Sequence, residues 1–341
     1  MVYILPMPWM VRFPILESTE VKFMSPSGLR RYGALLLVAL TVCPSTTAEA
    51  ATSKSRGTAK AGIHASGPVA KATTKRRVRR RTGRRAPPGG VVWARNAIVL
   101  DPATDTVLYE KNAGASAPCA SLTKLMTGLV FLEQRPDFTR NVEVTGGELR
   151  GGGHTQLRRG ERVRLGDLLH MSLMCSDNVA TRVLVRESGL PIEDFLARMN
   201  RKAVELGLAR TRFVESTGLD ERNVSTAADM ARLLRAASEN AIIHEISTRR
   251  GYDFLGLSSQ NRARSHHISN TNRLLYGRYE IRGGKTGFIS EAGYCLATWI
   301  RTDQRDMIAV VMGAPTNATR FADVVRLVHH TTPKSIAPSG L

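Results

Sequence analysis

The sequence predicts an α/β (α+β) fold in which an antiparallel sheet is built from both ends of the domain, is flanked by helices, and has a helical lobe inserted. Three observations support this fold class. Short strand-like segments lie near residue 100, two longer apolar segments lie between 294 and 312, and the sequence between them has mainly helical spacing. If the two ends share one sheet, the intervening helices form a lobe beside it, and a cleft between the lobes is a natural site.

The individual elements follow from the spacing of apolar residues along the chain. Residues 97–100 and 106–110 flank a polar turn and predict a strand hairpin. Residues 121–133 predict a helix, because their apolar side chains recur three or four positions apart. Residues 146–166 are rich in Gly and Arg and predict a loop. Further helices are predicted at 167–175, 179–187, 192–206 and 226–237, strands at 294–300 and 307–312, and a last helix after them.

The first 50 residues have the features of a secretory signal peptide. Arg30 and Arg31 precede an apolar run at 32–42, and Ala48-Glu49-Ala50 offers a cleavage site of the A-x-A type. The run is too short to cross a bilayer, which takes about 20 apolar residues. We therefore predict that residues 1–50 direct secretion. Signal peptides seldom carry a long extension before their basic residues, so Met24 is the expected translation start.

The positive charge of the chain is concentrated in residues 51–90. The 341 residues include 49 Lys and Arg against 29 Asp and Glu, a formal net charge of +20, and this segment holds 12 basic residues and no acidic one. Because it also lacks hydrophobic periodicity, we predict a disordered basic linker. The linker is either a solvated tether or a segment attracted to an anionic envelope surface. A secreted protein with its excess charge in a linker is not expected to bind nucleic acid.

The first candidate motif is Ser121-Leu122-Thr123-Lys124, at the start of the predicted helix. Positions three apart share a helix face, so the serine hydroxyl and the lysine amine can meet. Serine is a weak nucleophile until a base takes its proton, and lysine can act as that base only if its pKa is lowered. A helix N-terminus also offers N–H groups to an oxyanion. The alternative is that Ser121 caps the helix and Lys124 faces water.

Two further motifs follow along the chain. Ser176-Asp177-Asn178 lies between two apolar helical segments, where Ser and Asn often serve only as helix caps. Lys285-Thr286-Gly287 leads into the C-terminal strands and presents a cation and a hydroxyl, as carboxylate recognition requires. Its glycine lets a ligand or another backbone come close. The alternative for this third motif is an exposed edge strand protected by lysine.

The order S-x-x-K, S-D-N, K-T-G is typical of penicillin-binding proteins and class A β-lactamases. With these motifs the sequence resembles the low-molecular-mass penicillin-binding proteins, the serine D-alanyl-D-alanine peptidases of family S11, and most of all their soluble endopeptidases. The resemblance implies a β-lactamase/transpeptidase-like fold and a penicillin-binding catalytic domain at 91–335, followed by a tail at 336–341. It covers about 92–315 and includes 97–101, 118–127, 270–275 and 292–296.

The resemblance also implies a role for each motif residue. Ser121 attacks the carbonyl of a D-Ala residue and becomes acylated, and Lys124 accepts its proton, kept neutral by burial and by repulsion from Lys285. Ser176 relays a proton toward the leaving amine, while Asn178 holds the substrate amide and helps to fix Lys124. Water then hydrolyses the acyl-enzyme without a metal or organic cofactor. The substrate-binding set is completed by Lys285, Thr286 and Gly287 at the substrate carboxylate and by the N–H groups of Ser121 and Phe288 at the oxyanion.

The sequence disfavours three other functions. A β-lactamase of this fold needs an acidic residue in an E-x-x-L-N loop, and Glu215 occupies that region, but Gly218 breaks the pattern, so efficient lactamase activity is not expected. A zinc peptidase is disfavoured because the eight histidines include no H-E-x-x-H motif. A non-catalytic envelope-binding protein is disfavoured because all three motifs are intact.

The implied substrates are peptidoglycan stem peptides and their cross-links, with β-lactam antibiotics as acylating inhibitors and the periplasm as the compartment. Residues 314–341 leave room for one helix and a short tail, whereas carboxypeptidases of this family commonly add a β-rich domain and a membrane helix. This favours an endopeptidase that cuts D-Ala–meso-diaminopimelate cross-links. The motifs do not separate it from a D-Ala-D-Ala carboxypeptidase, because both substrates carry a carboxylate beside the scissile bond.

The predicted mature chain has three cysteines, Cys119, Cys175 and Cys295. Secretion favours disulfides, but an odd number leaves at least one thiol free. Cys119 and Cys175 precede motif serines that face one cleft, so they are the pair to consider, although buried free thiols are the favoured outcome.

Overall fold

The computed structural model describes residues 91–332, so the predicted signal peptide (1–50), basic linker (51–90) and tail (336–341) lie outside the described residues. The strands are β1 (Asn96–Leu100), β2 (Val107–Lys111), β3 (Ala117–Pro118), β4 (Asn141–Glu143), β5 (Arg162–Arg164), β6 (Val224–Ser225), β7 (Gly251–Leu257), β8 (Ala263–Ser269), β9 (Glu280–Ile289), β10 (Gly293–Arg301) and β11 (Asp306–Ala314). The helices are α1 (Thr123–Glu133), α2 (Gly146–Leu149), α3 (Leu165–His170), α4 (Asn178–Arg186), α5 (Ile192–Glu205), α6 (Ala227–Glu239), α7 (Ala241–Thr248) and α8 (Asn317–Thr331).

The main sheet joins strands from both ends of the described chain. Its five strands are antiparallel and lie in the order β2-β1-β11-β10-β9. Ala97 of β1 pairs with Val311 of β11. On the other side of β11, Val311 pairs with Leu296 of β10. This topology confirms the predicted fold class.

Both faces of the main sheet are covered, which explains why its central strands are continuous apolar runs. On one face Val311 and Leu296 pack in the cluster that contains Phe321 and Val324 of α8. On the other face Val310 belongs to the larger core, which includes the buried apolar residues of α1 and α6. Helix α1 is itself buried from Thr123 to Phe131, so it forms the centre of the domain and holds a motif at its start.

The second part of the fold contains helices α2–α5 and a smaller four-stranded sheet in the order β4-β5-β7-β8. The prediction of a loop over 146–166 was wrong in part, because α2 and β5 lie inside it. A capping box starts α2: Gly147 N donates to Thr145 Oγ1, and Thr145 N donates to Glu148 Oε2. Strand β5 is stabilised by pairing on both sides, with β4 and with Leu257 of β7.

The predicted helix at 167–175 begins two residues earlier and changes from an α-helix to a π-helix along its length. Helix α3 is followed by a π-helical turn over Met171–Cys175, which ends at the second motif. Helix α7 and the β7–β8 hairpin were not predicted. No helix within residues 91–332 is both long enough and apolar enough to cross a membrane.

Candidate active site

Ser121 lies in a 3₁₀ turn, Ala120–Leu122, that leads directly into α1. Neither the turn nor the helix has a side-chain capping bond at its N-terminus, so Ser121 does not serve as the helix cap. Ala120 has a positive φ of 48°, an uncommon conformation for a residue with a Cβ atom. Instead of capping the backbone, the Ser121 side chain contacts Lys124: Nζ and Oγ are 3.1 Å apart.

Lys124 is fully buried, and its amine has three oxygen neighbours. Nζ lies 2.6 Å from Asn178 Oδ1, 2.5 Å from the carbonyl oxygen of Thr217, and 3.1 Å from Ser121 Oγ. The first two can only accept hydrogen bonds, whereas a hydroxyl can also donate. A neutral amine therefore places its two N–H groups on the carbonyl oxygens and leaves its lone pair for the Ser121 proton.

Burial lowers the pKa of Lys124 from 10.5 to about 7. The charges of Glu215 and Asp177 oppose this shift, and the charge of Arg182 adds to it. The sequence-based expectation also invoked Lys285. Repulsion from Lys124 lowers the pKa of Lys285, and Coulomb repulsion between two charges acts on both. Near neutral pH a large fraction of Lys124 is therefore uncharged and able to accept a proton.

The second motif occupies the junction between the π-helical turn and α4. Ser176 adopts a left-handed conformation with φ 65°, and its Oγ is buried without a hydrogen-bond partner among the described residues. The capping function falls to Asp177, whose Oδ1 accepts a bond from Ala180 N. Asn178 is thereby free to bridge two elements: Oδ1 contacts Lys124, and Nδ2 donates to the carbonyl of Gly152 at 3.0 Å.

The third motif lies on β9, which is an edge strand of the main sheet. Lys285 is 2% exposed, so it does not act as a solvated lysine on a strand edge. Burial, followed by repulsion from Lys124 and then Arg320, lowers its pKa well below 10.5. Its Nζ donates to the Thr286 carbonyl at 3.0 Å, and the hydroxyls of Thr286 and Thr271 are 2.7 Å apart. The described residues supply no carboxylate to Lys285.

Gly287 brings this strand against the turn that carries the serine. A Cβ atom on Gly287 would lie 3.0 Å from Ser121 N and 3.1 Å from Ala120 Cβ, closer than side chains normally pack. The next residue, Phe288, exposes half of its side chain and stacks on Tyr294 with ring centroids 4.2 Å apart. The structure thus brings the first and third motifs together through their backbones.

The loop over 215–223 also contributes to the site, although its residues were not predicted to belong to it. The carbonyl of Thr217 accepts a bond from Lys124, and Gly218, with φ +85°, approaches the Ala120 carbonyl so closely that a Cβ atom would lie 2.0 Å from its oxygen. Asn223 is fully buried, and its carbonyl accepts the Cys119 N–H at 2.9 Å. The signals in the sequence were Glu215, in the region of the lactamase acid, and Gly218, which breaks the lactamase pattern.

Two other residues behind the motifs were also missed. Arg320 of α8 is buried and donates to the carbonyls of Gly287 and Cys295 at 3.0 and 3.2 Å. Thr271, whose hydroxyl contacts Thr286, was noted only as part of a similar segment. Both support the β9 strand from outside the motif itself.

The three cysteines of residues 91–332 are free thiols. Cys119 and Cys295 are fully buried, and burial raises their pKa values to about 12 and about 11. Cys175 is half-buried, with its pKa raised to about 11 for the same reason. Cys119 and Cys175 are therefore not paired. Within the described residues, no cluster of three or more His, Cys, Asp and Glu side chains is arranged for a metal ion.

Comparisons with known proteins identify the family and the fold of the chain. The family model described as peptidase S11, D-alanyl-D-alanine carboxypeptidase, matches residues 82–316, more than half of the chain. A D-alanyl-D-alanine endopeptidase of Escherichia coli is 35% identical over 68% of this chain and 75% of its own length. A D-alanyl-D-alanine endopeptidase of Pseudomonas aeruginosa is 34% identical over the same shares.

Among solved structures, the Streptomyces K15 DD-transpeptidase aligns with 70% of this chain and 97% of its own, with a TM-score of 0.67 and 24% identity. This similarity confirms the predicted transpeptidase-like fold. The match to the family model and the similarity to the endopeptidases also confirm the predicted family. The chain therefore belongs to the peptidase S11 family, the D-alanyl-D-alanine carboxypeptidases.

Proposed function

We propose that this protein is a serine DD-peptidase that hydrolyses D-Ala–meso-diaminopimelate cross-links of peptidoglycan through an acyl-enzyme on Ser121. The observation that carries the proposal is the 3.1 Å contact between Lys124 Nζ and Ser121 Oγ, in a buried setting that lowers the pKa of the amine to about 7. A buried neutral amine beside a serine is the arrangement that activates this weak nucleophile.

In the first step Ser121 Oγ attacks the D-Ala carbonyl carbon while its proton passes to Lys124 Nζ. The carbonyls of Asn178 and Thr217 hold the other two protons of the resulting ammonium group. Negative charge develops on the substrate oxygen, and the backbone N–H groups of Ser121 and Phe288 are the proposed donors to it. The close approach that Gly287 allows supports this assignment.

In the second step the C–N bond breaks, and the leaving amine needs a proton. Ser176 is the proposed relay from Lys124, and its unpartnered buried hydroxyl supports this role, because no described group competes for it. Water then attacks the ester of Ser121, and the same lysine takes the water proton. The stem peptide leaves with a new carboxylate, and the serine recovers its hydrogen.

The substrate carboxylate beside the scissile bond is assigned to Lys285 and Thr286. Lys285 has no acidic partner among the described residues, and a carboxylate near it would favour its charged form. The hydroxyl of Thr286 is held by Thr271, which orients it as a donor or an acceptor. A β-lactam presents a carboxylate and a reactive amide in a similar relation, so penicillins should acylate Ser121.

The choice of the cross-link as substrate rests on the curated relatives. Those of Escherichia coli and Pseudomonas aeruginosa are named endopeptidases, as is one of Haemophilus influenzae that is 31% identical. Other relatives, at 28–32% identity, are named carboxypeptidases, so release of terminal D-Ala from pentapeptides is the second candidate. We further propose a periplasmic location and attraction of residues 51–90 to anionic envelope material.

Labelled penicillin tests the nucleophile. Intact-mass spectrometry of the purified protein should show one adduct that disappears in Ser121→Ala and persists in Ser265→Ala, a control at an exposed serine on β8. An adduct that survives Ser121→Ala would refute the assignment of the nucleophile.

Purified muropeptides test the substrate. The kcat/KM for cross-linked dimers should exceed that for monomeric pentapeptides, with products identified by mass. A clearly higher kcat/KM on the pentapeptide would show that the carboxypeptidase candidate is correct. Hydrolysis of neither, by protein that penicillin acylates, would contradict both candidates.

A further inference from the structure

The carboxylate of Glu215 is saturated with hydrogen bonds from its own loop. Oε2 accepts from Thr217 N and Thr217 Oγ1, both at 2.7 Å. Oε1 accepts from Gly218 N, from Leu219 N at 3.0 Å and from Asn223 Nδ2 at 3.0 Å. Five donors occupy the two oxygens, which leaves the carboxylate poorly placed to activate a water molecule. They also fold residues 217–219 around a single anionic centre.

That fold fixes two backbone groups of the active site. The carbonyl of Thr217 lies 2.5 Å from Lys124 Nζ, one of the shortest contacts of this amine. Gly218 lies against the backbone of the turn that carries Ser121, where its left-handed φ of +85° and missing Cβ are both required. Because three consecutive N–H groups of residues 217–219 point at one carboxylate, the direction of the Thr217 carbonyl depends on it.

Asn223 ties the same carboxylate to the rest of the site. Its Nδ2 donates to Glu215 Oε1 and to Thr123 Oγ1, and its Oδ1 accepts from the N–H groups of Val214 and Glu215. Thr123 is the first residue of α1 and a neighbour of Lys124 in the chain. A displaced Glu215 side chain therefore loosens contacts on both sides of the nucleophile.

We propose that Glu215 is a positioning residue: through Thr217 and Gly218 it holds the Lys124 amine and the Ser121 backbone in their reactive arrangement. This proposal rests on the proposed function, because it takes Ser121 as the nucleophile and Lys124 as its base. It assigns the acidic residue of this loop a role different from activation of a deacylating water.

The charge of Glu215 also acts on Lys124, which provides a test beyond structural integrity. Among the groups that face the amine, Glu215, Asp177 and, when ionised, the Cys175 thiol favour the charged form, while burial, Arg182 and Lys285 oppose it. Removal of the Glu215 charge in an intact site should therefore lower the pKa of Lys124 further. If the loop instead opened and admitted water, the pKa would rise toward its ordinary value of 10.5.

The experiment is the pH profile of penicillin acylation for Glu215→Gln. Because misplaced catalytic groups typically cost up to about 100-fold in rate, we expect the plateau to fall by about 10- to 100-fold and the acid limb to move to lower pH. The matched control is Asp220→Asn, which removes a half-buried carboxylate of the same loop that pairs with Arg222. The control should keep the wild-type plateau and acid limb.

Two outcomes would overturn the proposal: a wild-type profile for Glu215→Gln, or a lower rate with the acid limb moved to higher pH, which would indicate only loss of the fold around Lys124. If Glu215→Gln does not fold, Thr217→Val carries the test. It removes one donor to Glu215 and keeps the Thr217 carbonyl. Acylation should therefore fall by about tenfold without a shift of the limb, and a wild-type rate would refute the proposal. If wild-type protein is not acylated at all, the proposed function fails instead.

Discussion

Replacement of Lys124 by methionine measures what the buried amine costs the fold. The pKa of Lys124 falls from 10.5 to about 7, mainly because of burial. At about 1.4 kcal/mol per pKa unit, this fall of 3.5 corresponds to about 5 kcal/mol of destabilisation. Methionine has a similar length and no charge, so Lys124→Met removes this term. It also leaves two carbonyl acceptors unpaired, at about 1–3 kcal/mol each, and that cost does not depend on pH.

The sign of the pH dependence follows from linkage. The folded-state pKa of Lys124 lies below the unfolded value, so between about 7 and 10.5 the unfolded chain holds a proton that the native protein lacks. The stability of the wild type should therefore rise with pH across this window, and the penalty is complete only below pH 7. The unfolding free energy of Lys124→Met minus that of the wild type should therefore fall by about 3 kcal/mol between about pH 7 and about pH 9.5.

Denaturant unfolding of both proteins at several pH values measures this difference. Titratable groups present in both proteins contribute similarly to the two stabilities, so their contributions largely cancel in the difference. Lys202→Met is the control, because Lys202 is an ion-paired surface residue of α5. A difference in unfolding free energy that stays constant with pH would refute a buried neutral amine at position 124. Loss of penicillin acylation in Lys124→Met, with the fold retained, is expected in addition.

Three other experiments test separate parts of the molecule. Gly218→Ala should lower the acylation rate at least about tenfold and melt at a lower temperature than the control Gly189→Ala. The two glycines have similar φ values, +85° at Gly218 and +82° at Gly189, but only at Gly218 would the added Cβ lie 2.0 Å from a backbone oxygen. Equal melting temperatures would contradict this close approach. The acid limb of kcat/KM should lie near pH 7, set by Lys124, and a limb above about 9 would mean an exposed amine. Deletion of 51–90 should leave the melting temperature and acylation rate unchanged while weakening salt-sensitive association with anionic envelope material. A large fall in melting temperature would show that the segment is structural.

The sequence was sufficient for the main sheet and for the motif positions, because both depend on local patterns. The strands around Val310 are buried on both faces, so they are continuous apolar runs that stand out without knowledge of their partners. Helix α1 was predicted at 121–133 and runs over Thr123–Glu133, with the 3₁₀ turn before it. Ser121 and Lys124 meet because residues three apart share a face, a rule that needs no tertiary information.

The smaller sheet was missed because polar residues occupy its inward positions. In β8 the buried His266 bonds to the buried carboxylate of Glu161, 105 residues earlier. Stacking of His266 on Phe254 of β7, with ring centroids 4.7 Å apart, completes the packing. An inward histidine breaks the apolar alternation by which a strand is identified. Its burial is tolerable only because a distant residue satisfies it, and a single sequence does not display that partner.

The loop over 215–223 was missed for a different reason. Its contact with Lys124 is made by the backbone carbonyl of Thr217, which every residue type possesses. The sequence does encode the two residues that orient this carbonyl, Glu215 through its carboxylate and Gly218 through its small size. Glu215 matches a water-activating acid in residue type and in region, whereas its hydrogen-bond partners determine its role.

The two buried lysines, Lys124 and Lys285, influence each other's protonation because they lie close together in the fold. The first and third motifs each contribute one amine, and the repulsion between Lys124 and Lys285 makes it costly for both to be charged at once. A carboxylate bound at Lys285 stabilises a proton there, and the resulting cation disfavours a proton on Lys124. Under the proposed function that carboxylate belongs to the substrate, so binding itself helps to keep the general base neutral. The two lysines are far apart in the sequence, and under this proposal their shared burial couples carboxylate recognition to activation of the nucleophile.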